Sequence, residues 1–177
     1  MPPVRTTTGN NYFLGCDPGW SGSFVLIKTG SVYCGEVNGN GTEMEILIGL
    51  RRLMNITELG SVHAAVEKVN GFMGNMGSTG ASGFKFGTSY GRNLMALAAL
   101  NISFQEIAPQ SWQKRLGIPP KQRKNKGQSG EKTEKFKKRL QGIAQRLYPS
   151  VDVTLRNADA LLIAEYALRH YEGRLIV

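Results

Sequence analysis

The chain has 177 residues, of which 41% are hydrophobic, and 22 Lys and Arg against 13 Asp and Glu give it a net charge of +9. The excess charge lies in one segment, because residues 114–139 hold 11 basic and 2 acidic side chains while the rest of the chain is balanced. These figures exclude a uniformly basic protein, such as a histone-like tail, and favour a neutral body that contacts a polyanion through one segment.

The length predicts one domain, at residues 12–177, with an ordinary apolar core. No apolar run is long enough for a transmembrane helix, and residues 1–11 lack a signal-peptide core, so we expect them to be a disordered lead-in. Two cysteines, Cys16 and Cys34, and two histidines are too few for a disulfide framework or a zinc centre. Reduced thiols in a cytoplasmic protein are therefore expected.

The N-terminal part is predicted to be a meander of three strands, because short apolar runs alternate with Asp-Pro-Gly and Thr-Gly turns. Thr42 can cap the helix that follows. In chain order, the expected elements are strands at 12–17, 22–28 and 31–37, a helix at 42–54, a strand at 62–69, a glycine-rich loop at 70–83, a helix at 84–100 and a strand at 102–107.

The C-terminal part is predicted to be helical, with helices at 110–116, 131–148 and 157–171 and a basic, mobile loop at 119–130. Strands that are separated by helices usually run parallel in one sheet. The fold class is therefore α/β. We expect a mixed sheet of five strands flanked by helices, in which strands one, four and five are parallel neighbours.

Three acids are candidates for a metal site. Asp17 ends the first strand, Glu67 lies near the end of the fourth, and Asp159 lies in the first turn of the last helix, each beside apolar residues. Burying a carboxylate is unfavourable unless it is paired or holds a metal. Three acids that converge at a sheet edge would suit Mg²⁺ or Mn²⁺, and two such ions can hydrolyse a phosphodiester.

Each acid also has a simpler interpretation. Asp17 before Pro-Gly can merely initiate a turn, Asp159 can merely favour a helix N-terminus, and Glu67 can face solvent. Their joint occurrence, with a basic segment and a mixed α/β order, favours a metal-dependent nuclease.

The motifs around these acids resemble those of RuvC-type Holliday junction resolvases, in the ribonuclease H-like superfamily. They are Gly15-Cys-Asp-Pro-Gly, Ala65-Val-Glu and Ala158-Asp-Ala-Leu-Leu-Ile-Ala. Phe84-Lys-Phe-Gly-Thr-Ser-Tyr-Gly and Ala108-Pro-Gln-Ser-Trp-Gln-Lys resemble the phage-type branch. The similarity spans most of the chain, from about residue 13 to about residue 169.

The resemblance implies a ribonuclease H-like fold with Asp17, Glu67 and Asp159 as catalytic, metal-binding acids. It implies a homodimer that cuts four-way junctions and other branched DNA by paired symmetric nicks, using Mg²⁺, with Mn²⁺ as a substitute and two ions per site. Lys132 matches a family lysine near the scissile phosphate, and Lys114 is a looser match to another. A small-molecule cofactor and a membrane partner are not expected, and the location would be the bacterial host cytoplasm if the protein is phage-encoded.

Two positions depart from the family pattern. An acid or a histidine is usual three residues before the last Asp, and this chain has Arg156 there. Either three acids suffice, or Asp152 helps, or metal binding is weakened. An aromatic residue is usual three residues after the catalytic Glu, and this chain has Asn70. Phe72 is then the candidate for stacking on a base, with core filling as an equally good interpretation.

The basic segment predicts phosphate contacts, which supply affinity but little sequence specificity. A solvated helix face is the alternative, and the concentration of the whole net charge here disfavours it. Trp112 can stack on DNA, but a core position is the more common role. The predicted DNA contacts are Lys114, Lys121, Arg123, Lys124, Lys126, Lys132 and Lys135 in the segment, with Phe72, Lys85, Arg92 and the weaker candidate Lys68 outside it.

Other functions stay open on the sequence alone. A different ribonuclease H-like nuclease, acting on flaps, forks or RNA–DNA hybrids, is separated from a resolvase only by a panel of substrates. An inactive or weakly active junction-binding module is suggested by Arg156, and metal binding would discriminate it. The Asp-Pro-Gly turn also resembles the phosphate loop of sugar-kinase and actin-like ATPases, which need two such domains and therefore a longer chain.

Overall fold

The structure, a computed structural model, describes residues 10–57, 60–68, 80–122 and 130–175. Its strands and helices occur in the predicted order, with ends that differ by a few residues. The strands are β1 (Asn11–Cys16), β2 (Ser23–Lys28), β3 (Val32–Asn38), β4 (Ser61–Glu67) and β5 (Phe104–Ile107), and the helices are α1 (Glu43–Thr57), α2 (Gly80–Ala99), α3 (Pro109–Arg115), α4 (Thr133–Leu147) and α5 (Ala158–Tyr171).

The strands form one mixed sheet in the order β3-β2-β1-β4-β5. β1, β2 and β3 pair antiparallel, whereas β1 with β4 and β4 with β5 pair parallel. The predicted α/β class, the meander and the parallel neighbours are therefore confirmed. In the described ranges, none of the helices combines the length and the apolarity that a membrane span needs.

Two apolar cores lie on opposite faces of the sheet. Phe13 and Ala65 belong to the core beneath α3, α4 and α5, and Leu14 and Val66 belong to the core that α1 and α2 cover. Because successive side chains of a strand alternate between its faces, the odd-numbered positions at the ends of β1 and β4 look toward α5. This parity directs the residues that follow, 17 and 67, to the α5 side.

α5 lies unusually close to β1 at Gly15. A Cβ built on this glycine would stand 2.0 Å from the Ala160 carbonyl oxygen and 2.4 Å from the Ala164 nitrogen. Both contacts are with the helix backbone, which cannot move aside as a flexible side chain can. Gly15 therefore sets the distance between β1 and the N-terminal half of α5, the part of α5 that carries Asp159.

Candidate active site

Asp17 and Glu67 emerge side by side at the carboxyl edge of the sheet. Cys16 is paired in parallel register with Val66, so the next residue of each strand is one of the two acids. Glu67 is the last residue of β4, and its register partner on β5 is Ile107. The strand register thus accounts for two of the three acids that the sequence predicts to converge.

A tight turn holds the Asp17 carboxylate. Its Oδ1 accepts a hydrogen bond of 2.9 Å from the Gly19 N–H, and the Asp17 N–H donates to the Ser23 carbonyl at 3.0 Å. A Cβ at Gly22 would lie 1.9 Å from the Asp17 carbonyl oxygen, so the turn needs glycine there. Asp17 does form a turn, as its simpler interpretation says, and the same turn orients its carboxylate.

Asp159 joins the other two acids from α5. It lies in the first turn of the helix, and the Ser23 hydroxyl donates to the Arg156 carbonyl at 3.2 Å, tying the approach to α5 to the start of β2. All three acids keep part of their side chains accessible to solvent. Their convergence follows from strand register, the close contact at Gly15 and this tie.

The acids interact electrostatically. Burial raises the pKa of Asp17 above its ordinary value. Burial and then the charge of Asp17 raise the pKa of Asp159 to about 7. Burial, the charge of Asp17 and, to a smaller extent, the charge of Asp159 raise the pKa of Glu67 to about 8. A hydrogen bond from Trp112 and the charge of Lys137 act in the opposite direction and lower it. All three pairs of acids thus interact, and on Glu67 the charge of Asp17 has a larger effect than that of Asp159.

This donor set suits a hard divalent cation. Within the described ranges, none of the three carboxylates has an ion pair within 4.0 Å, although burial makes each harder to ionise and like charge adds to this for Glu67 and Asp159. Carboxylate oxygen is the ligand that Mg²⁺ and Mn²⁺ prefer. As arranged here, however, the described side chains include no group of three or more His, Cys, Asp or Glu close enough to hold one ion. The side chains would have to close around the cation.

Without divalent ions, the stability of the protein is expected to fall as the pH rises from about 4.5 to about 8. The folded chain binds protons at Glu67 and Asp159 more tightly than the unfolded chain in this window, so raising the pH favours unfolding. The loss should reach a few kcal/mol, at about 1.4 kcal/mol per unit of pKa difference. Thermal unfolding at pH 5.5 and pH 8, each with EDTA or Mg²⁺, measures it.

His63 changes the stability in the opposite direction. Burial lowers its pKa, so the folded protein favours the neutral imidazole and gains stability as the pH rises. The Mg²⁺ comparison isolates the acids, since a bound cation favours their ionised form. Mg²⁺ should therefore raise the midpoint more at pH 8 than at pH 5.5. An equal effect at both values would contradict the coupling of the acids.

Lys137 is a site residue that the sequence interpretation missed. Its charge lowers the pKa of Asp17, Glu67 and Asp159 alike, so it lies near the whole cluster. The side chain is half-buried and makes no ion pair with another described residue. It lies on the buried face of α4, three residues before Leu140 and seven before Ala144. That spacing from buried residues indicates that Lys137 lies on the inner face of α4. The sequence interpretation missed this because it assigned the lysines of the helix to its polar face as a group.

Trp112 lies in the core and not at the surface, so the core interpretation is confirmed. Its indole N–H donates to Glu67 Oε2 at 2.9 Å, a contact between residues 45 positions apart. From the sequence, this side chain is expected only to pack in the core or to stack on DNA. No pattern in the sequence predicts the hydrogen bond to Glu67.

The residues before Asp159 do not replace the missing fourth acid. Asn157 is buried, and its side-chain amide donates to Glu36 Oε2 at 2.6 Å and to the Asp152 carbonyl at 3.2 Å. Arg156 is exposed. Asp152 lines a cleft with Ser31 and Glu36, and its charge is not among those that shift the three acids.

The predicted DNA contacts lie in several parts of the fold. Lys114, Lys121, Lys132 and Lys135 are exposed, with Lys132 at the N-terminus of α4. Lys85 lies over the ring of Trp20, 5.8 Å from its centroid, in the neighbourhood of the Asp17 turn. Arg92 instead forms an ion pair with Glu43 of α1 at 3.7 Å, and Lys68 is exposed just after β4. Phe72, Arg123, Lys124 and Lys126, like Asn70, lie outside the described residues.

The two ends of the predicted basic loop are fastened together. The Glu131 N–H donates to the Gln122 carbonyl at 3.0 Å, and Glu131 Oε2 accepts from the Gln122 N–H at 3.3 Å. Arg139 donates to Glu131 and to the carbonyls of Pro119 and Pro120. One charge of the basic segment thus has a structural role, and it holds the base of the loop beside α4.

The fold matches solved structures of RuvC. The structure titled T. thermophilus RuvC in complex with Holliday junction substrate aligns at a TM-score of 0.57 and 15% identity, over 93% of this chain and 97% of that one. A second Thermus thermophilus RuvC structure aligns at 0.54 and 17%, over 93% and 98%. No family model and no curated protein matches the sequence. At this identity the likeness concerns the fold, and the chain has the RuvC-like, ribonuclease H-like α/β fold that the sequence predicts.

Proposed function

We propose that the protein is a divalent-metal-dependent endonuclease that cuts branched DNA, four-way junctions above all, with paired symmetric nicks. The observation that carries the proposal is the cluster of Asp17, Glu67 and Asp159 at one edge of a RuvC-like sheet, in which burial raises the pKa of all three acids and like charge adds to the rise for Glu67 and Asp159. Structural sites rarely gather like charges without partners, whereas metal-dependent hydrolases require them. The phage-type branch stays part of the proposal and rests on the motifs at 84–91 and 108–114.

Each residue has a defined task in this proposal. Asp17, Glu67 and Asp159 would hold Mg²⁺ or Mn²⁺, two ions by analogy with the resolvases that the motifs resemble, and the ions would supply an activated water and charge stabilisation. Asp17 would be a ligand whose carboxylate its own turn already orients, through the hydrogen bond from the Gly19 N–H. Lys137, whose charge acts on all three acids and which has no ion pair with another described residue, would bind a non-bridging oxygen of the scissile phosphate.

The exposed lysines would hold the DNA backbone against this site. Lys114, Lys132 and Lys135 project from α3 and the N-terminal part of α4, the helices that also carry Trp112 and Lys137. A negative metal site must approach a negative backbone, and cations around it reduce the repulsion. Junction binding should therefore weaken steeply with salt. Lys132 itself stays a proposed phosphate contact and catalytic candidate.

A homodimer is part of the proposal, and one face of α2 supports it. Gly83, Gly87 and Gly91 lie at every fourth position, and a Cβ on any of them would meet nothing within 4 Å. Each costs about 1 kcal/mol relative to alanine in a helix, with no close packing against the described part of the chain in return. Met95 continues the row and is 66% exposed. The groove beside it has one acid and one base, Glu43 and Arg92, so two copies can meet there without net repulsion.

Incubation of the purified protein with a synthetic four-way junction and Mg²⁺ tests the function. A linear duplex, a flap, a fork and an RNA–DNA hybrid of the same sequence are the matched substrates. We expect paired cuts in strands of like polarity at the junction and a dimeric mass by light scattering. Equal cutting of the linear duplex would refute junction selectivity, and preferred cutting of the hybrid or flap would assign a different nuclease of this fold.

A junction-binding module with weak or no catalysis is the second candidate. The observation that favours it is the loose spacing of the acids together with Arg156 at the position of the fourth acid. Calorimetry with Mn²⁺ separates the two. Binding in the micromolar to millimolar range supports the nuclease, and absence of binding at millimolar Mn²⁺ with retained junction affinity supports the module.

Replacing Lys137 with Gln should slow junction cleavage by about a hundredfold, the effect expected when one donor to a developing charge is removed. Lys138 offers the matched control, because it is the next residue of the same helix and is exposed. Lys138→Gln should change the rate little and reduce only the salt dependence of binding. Single-turnover rates at saturating junction measure both, and equal rates for the two variants would contradict the placement of Lys137.

A further inference from the structure

Trp112 has two separable roles in the structure. Its side chain is fully buried and belongs to the core cluster that also contains Ile118, Leu140 and Leu161. Its indole N–H points out of that core and donates to Glu67 at 2.9 Å. Packing accounts for the ring but does not require the N–H to meet an acid of the site.

The donor has properties that suit a metal ligand. An indole N–H is a donor only and stays neutral, so it can fix a carboxylate without cancelling its charge as Lys or Arg would. It engages Oε2 alone, and no described residue donates a hydrogen bond to Oε1 of Glu67. One oxygen is thus anchored while the other is available to a cation. Groups that orient ligands in this manner commonly contribute to metal affinity.

The backbone around Trp112 fixes the direction of the N–H. β5 ends beside Glu67, with the Lys68 N–H donating to the Ile107 carbonyl at 2.8 Å. α3 starts only two residues after β5, with Pro109 at its first position. The Trp112 N–H of the backbone then donates to the Ala108 carbonyl at 3.3 Å. The strand that pairs with β4 therefore leads directly into the turn that returns the indole to Glu67.

We propose that Trp112 is a positioning residue that holds the Glu67 carboxylate, through its indole N–H, in the orientation that binds the divalent cation. The inference rests on the proposed function in that Glu67 is taken as a metal ligand. Trp112 would supply something that neither the acids nor the basic segment provides. It is an uncharged hydrogen-bond donor that fixes one of the three carboxylates before the metal binds.

The decisive variant keeps the shape of the side chain and removes only the donor. We would place 3-benzothienyl-alanine at position 112, in a Trp20→Phe background, because the chain has two tryptophans. Mn²⁺ affinity is measured by calorimetry without DNA, alongside kcat and KM for junction cleavage and the thermal midpoint in EDTA. We expect Mn²⁺ affinity and kcat to fall about 10- to 100-fold, with KM for the junction unchanged.

Tyr148→Phe is the matched control for loss of a buried donor. The Tyr148 hydroxyl donates to the buried Glu165 at 2.7 Å, and Glu165 lies six residues beyond Asp159 on α5, about 9 Å along its axis. This variant should lower the thermal midpoint and leave Mn²⁺ affinity unchanged. If Trp112 had only a structural role, the benzothienyl-alanine variant would likewise show a lower thermal midpoint and an unchanged Mn²⁺ affinity.

Each outcome decides the inference. Mn²⁺ affinity within about twofold of the parent would overturn it, as would a parent protein that binds no Mn²⁺ at millimolar concentration. A parent that binds Mn²⁺ but leaves the junction intact would refute the proposed function alone, and the affinity ratio would still decide the role of Trp112.

Discussion

Replacing Asp17 with Asn is expected to abolish junction cleavage while junction binding is retained. Asp17 lies beside Glu67 at the carboxyl edge of the sheet, and its turn orients its carboxylate, so it is a proposed ligand of the metal. Removing a metal ligand should raise the activation free energy by about 4 kcal/mol or more, which is about a thousandfold in rate. Binding should persist because the exposed lysines supply it.

The same substitution should make the metal-free protein more stable at pH 8. The amide keeps the oxygen that accepts from the Gly19 N–H at 2.9 Å, so the turn is preserved. It removes a charge that raises the pKa of the other two acids, and hence the repulsion among them. A loss of activity together with a higher thermal midpoint in EDTA would exclude misfolding as the cause.

Asp152→Asn is the matched control for this experiment. Asp152 is an exposed acid near the start of α5, and among the described residues only its backbone carbonyl accepts a hydrogen bond, from the Asn157 amide. Cleavage by this variant should equal that of the parent. Cutting by the Asp17 variant at more than about a tenth of the parental rate would remove Asp17 from the mechanism, and a large loss for Asp152→Asn would reinstate it as a fourth ligand.

The arrangement of the sheet was accessible from sequence because it depends on local patterns. Apolar runs that stop at Asp17 and near Glu67 mark the carboxyl ends of strands, and parallel pairing then brings those ends together. The convergence of Asp159 is less local. It depends on the close contact of α5 with Gly15, which follows from the absence of a side chain at a single position.

The hydrogen-bond partners of Glu67 and Glu36 could not be predicted from the sequence, since they come from remote parts of the chain. Trp112 meets Glu67 across 45 positions, and Asn157 meets Glu36 across 121. Such pairs depend on how α3 and α5 pack, which no period in the sequence specifies. Lys137 is intermediate, because its helical spacing from Leu140 was visible, but the packing of that face against α5 was needed to give it meaning.

Glycines misled the prediction of one boundary. Residues up to Gly83 were expected to form a loop, whereas α2 starts at Gly80. Glycine is a poor helix former but does not prohibit a helix, and tertiary context can override its propensity. The glycines that continue along α2 fit the proposed contact between two copies of the chain. Helix propensity within one chain does not reflect such a contact.

Gly15→Ala is expected to be among the most disruptive substitutions in the core. The added Cβ would stand 2.0 Å from the Ala160 carbonyl oxygen and 2.4 Å from the Ala164 nitrogen. Because both are backbone atoms, α5 as a whole must shift away from β1. We expect a loss of about 3 kcal/mol in unfolding free energy, at the upper end of overpacking costs, and a fall of roughly 6–12 °C in the thermal midpoint.

The shift should affect catalysis beyond its effect on stability, since α5 carries Asp159. A displacement of about 1 Å is expected to cost about a hundredfold in rate even at temperatures where the variant is folded. Gly142→Ala provides the control, because the nearest atom to its added Cβ is Arg146 Nη1 at 3.8 Å. That change should stabilise α4 by up to about 1 kcal/mol and leave cleavage unaltered. Unchanged cleavage and stability in Gly15→Ala would show that α5 can retreat without moving Asp159, and the close contact would then lose its part in assembling the site.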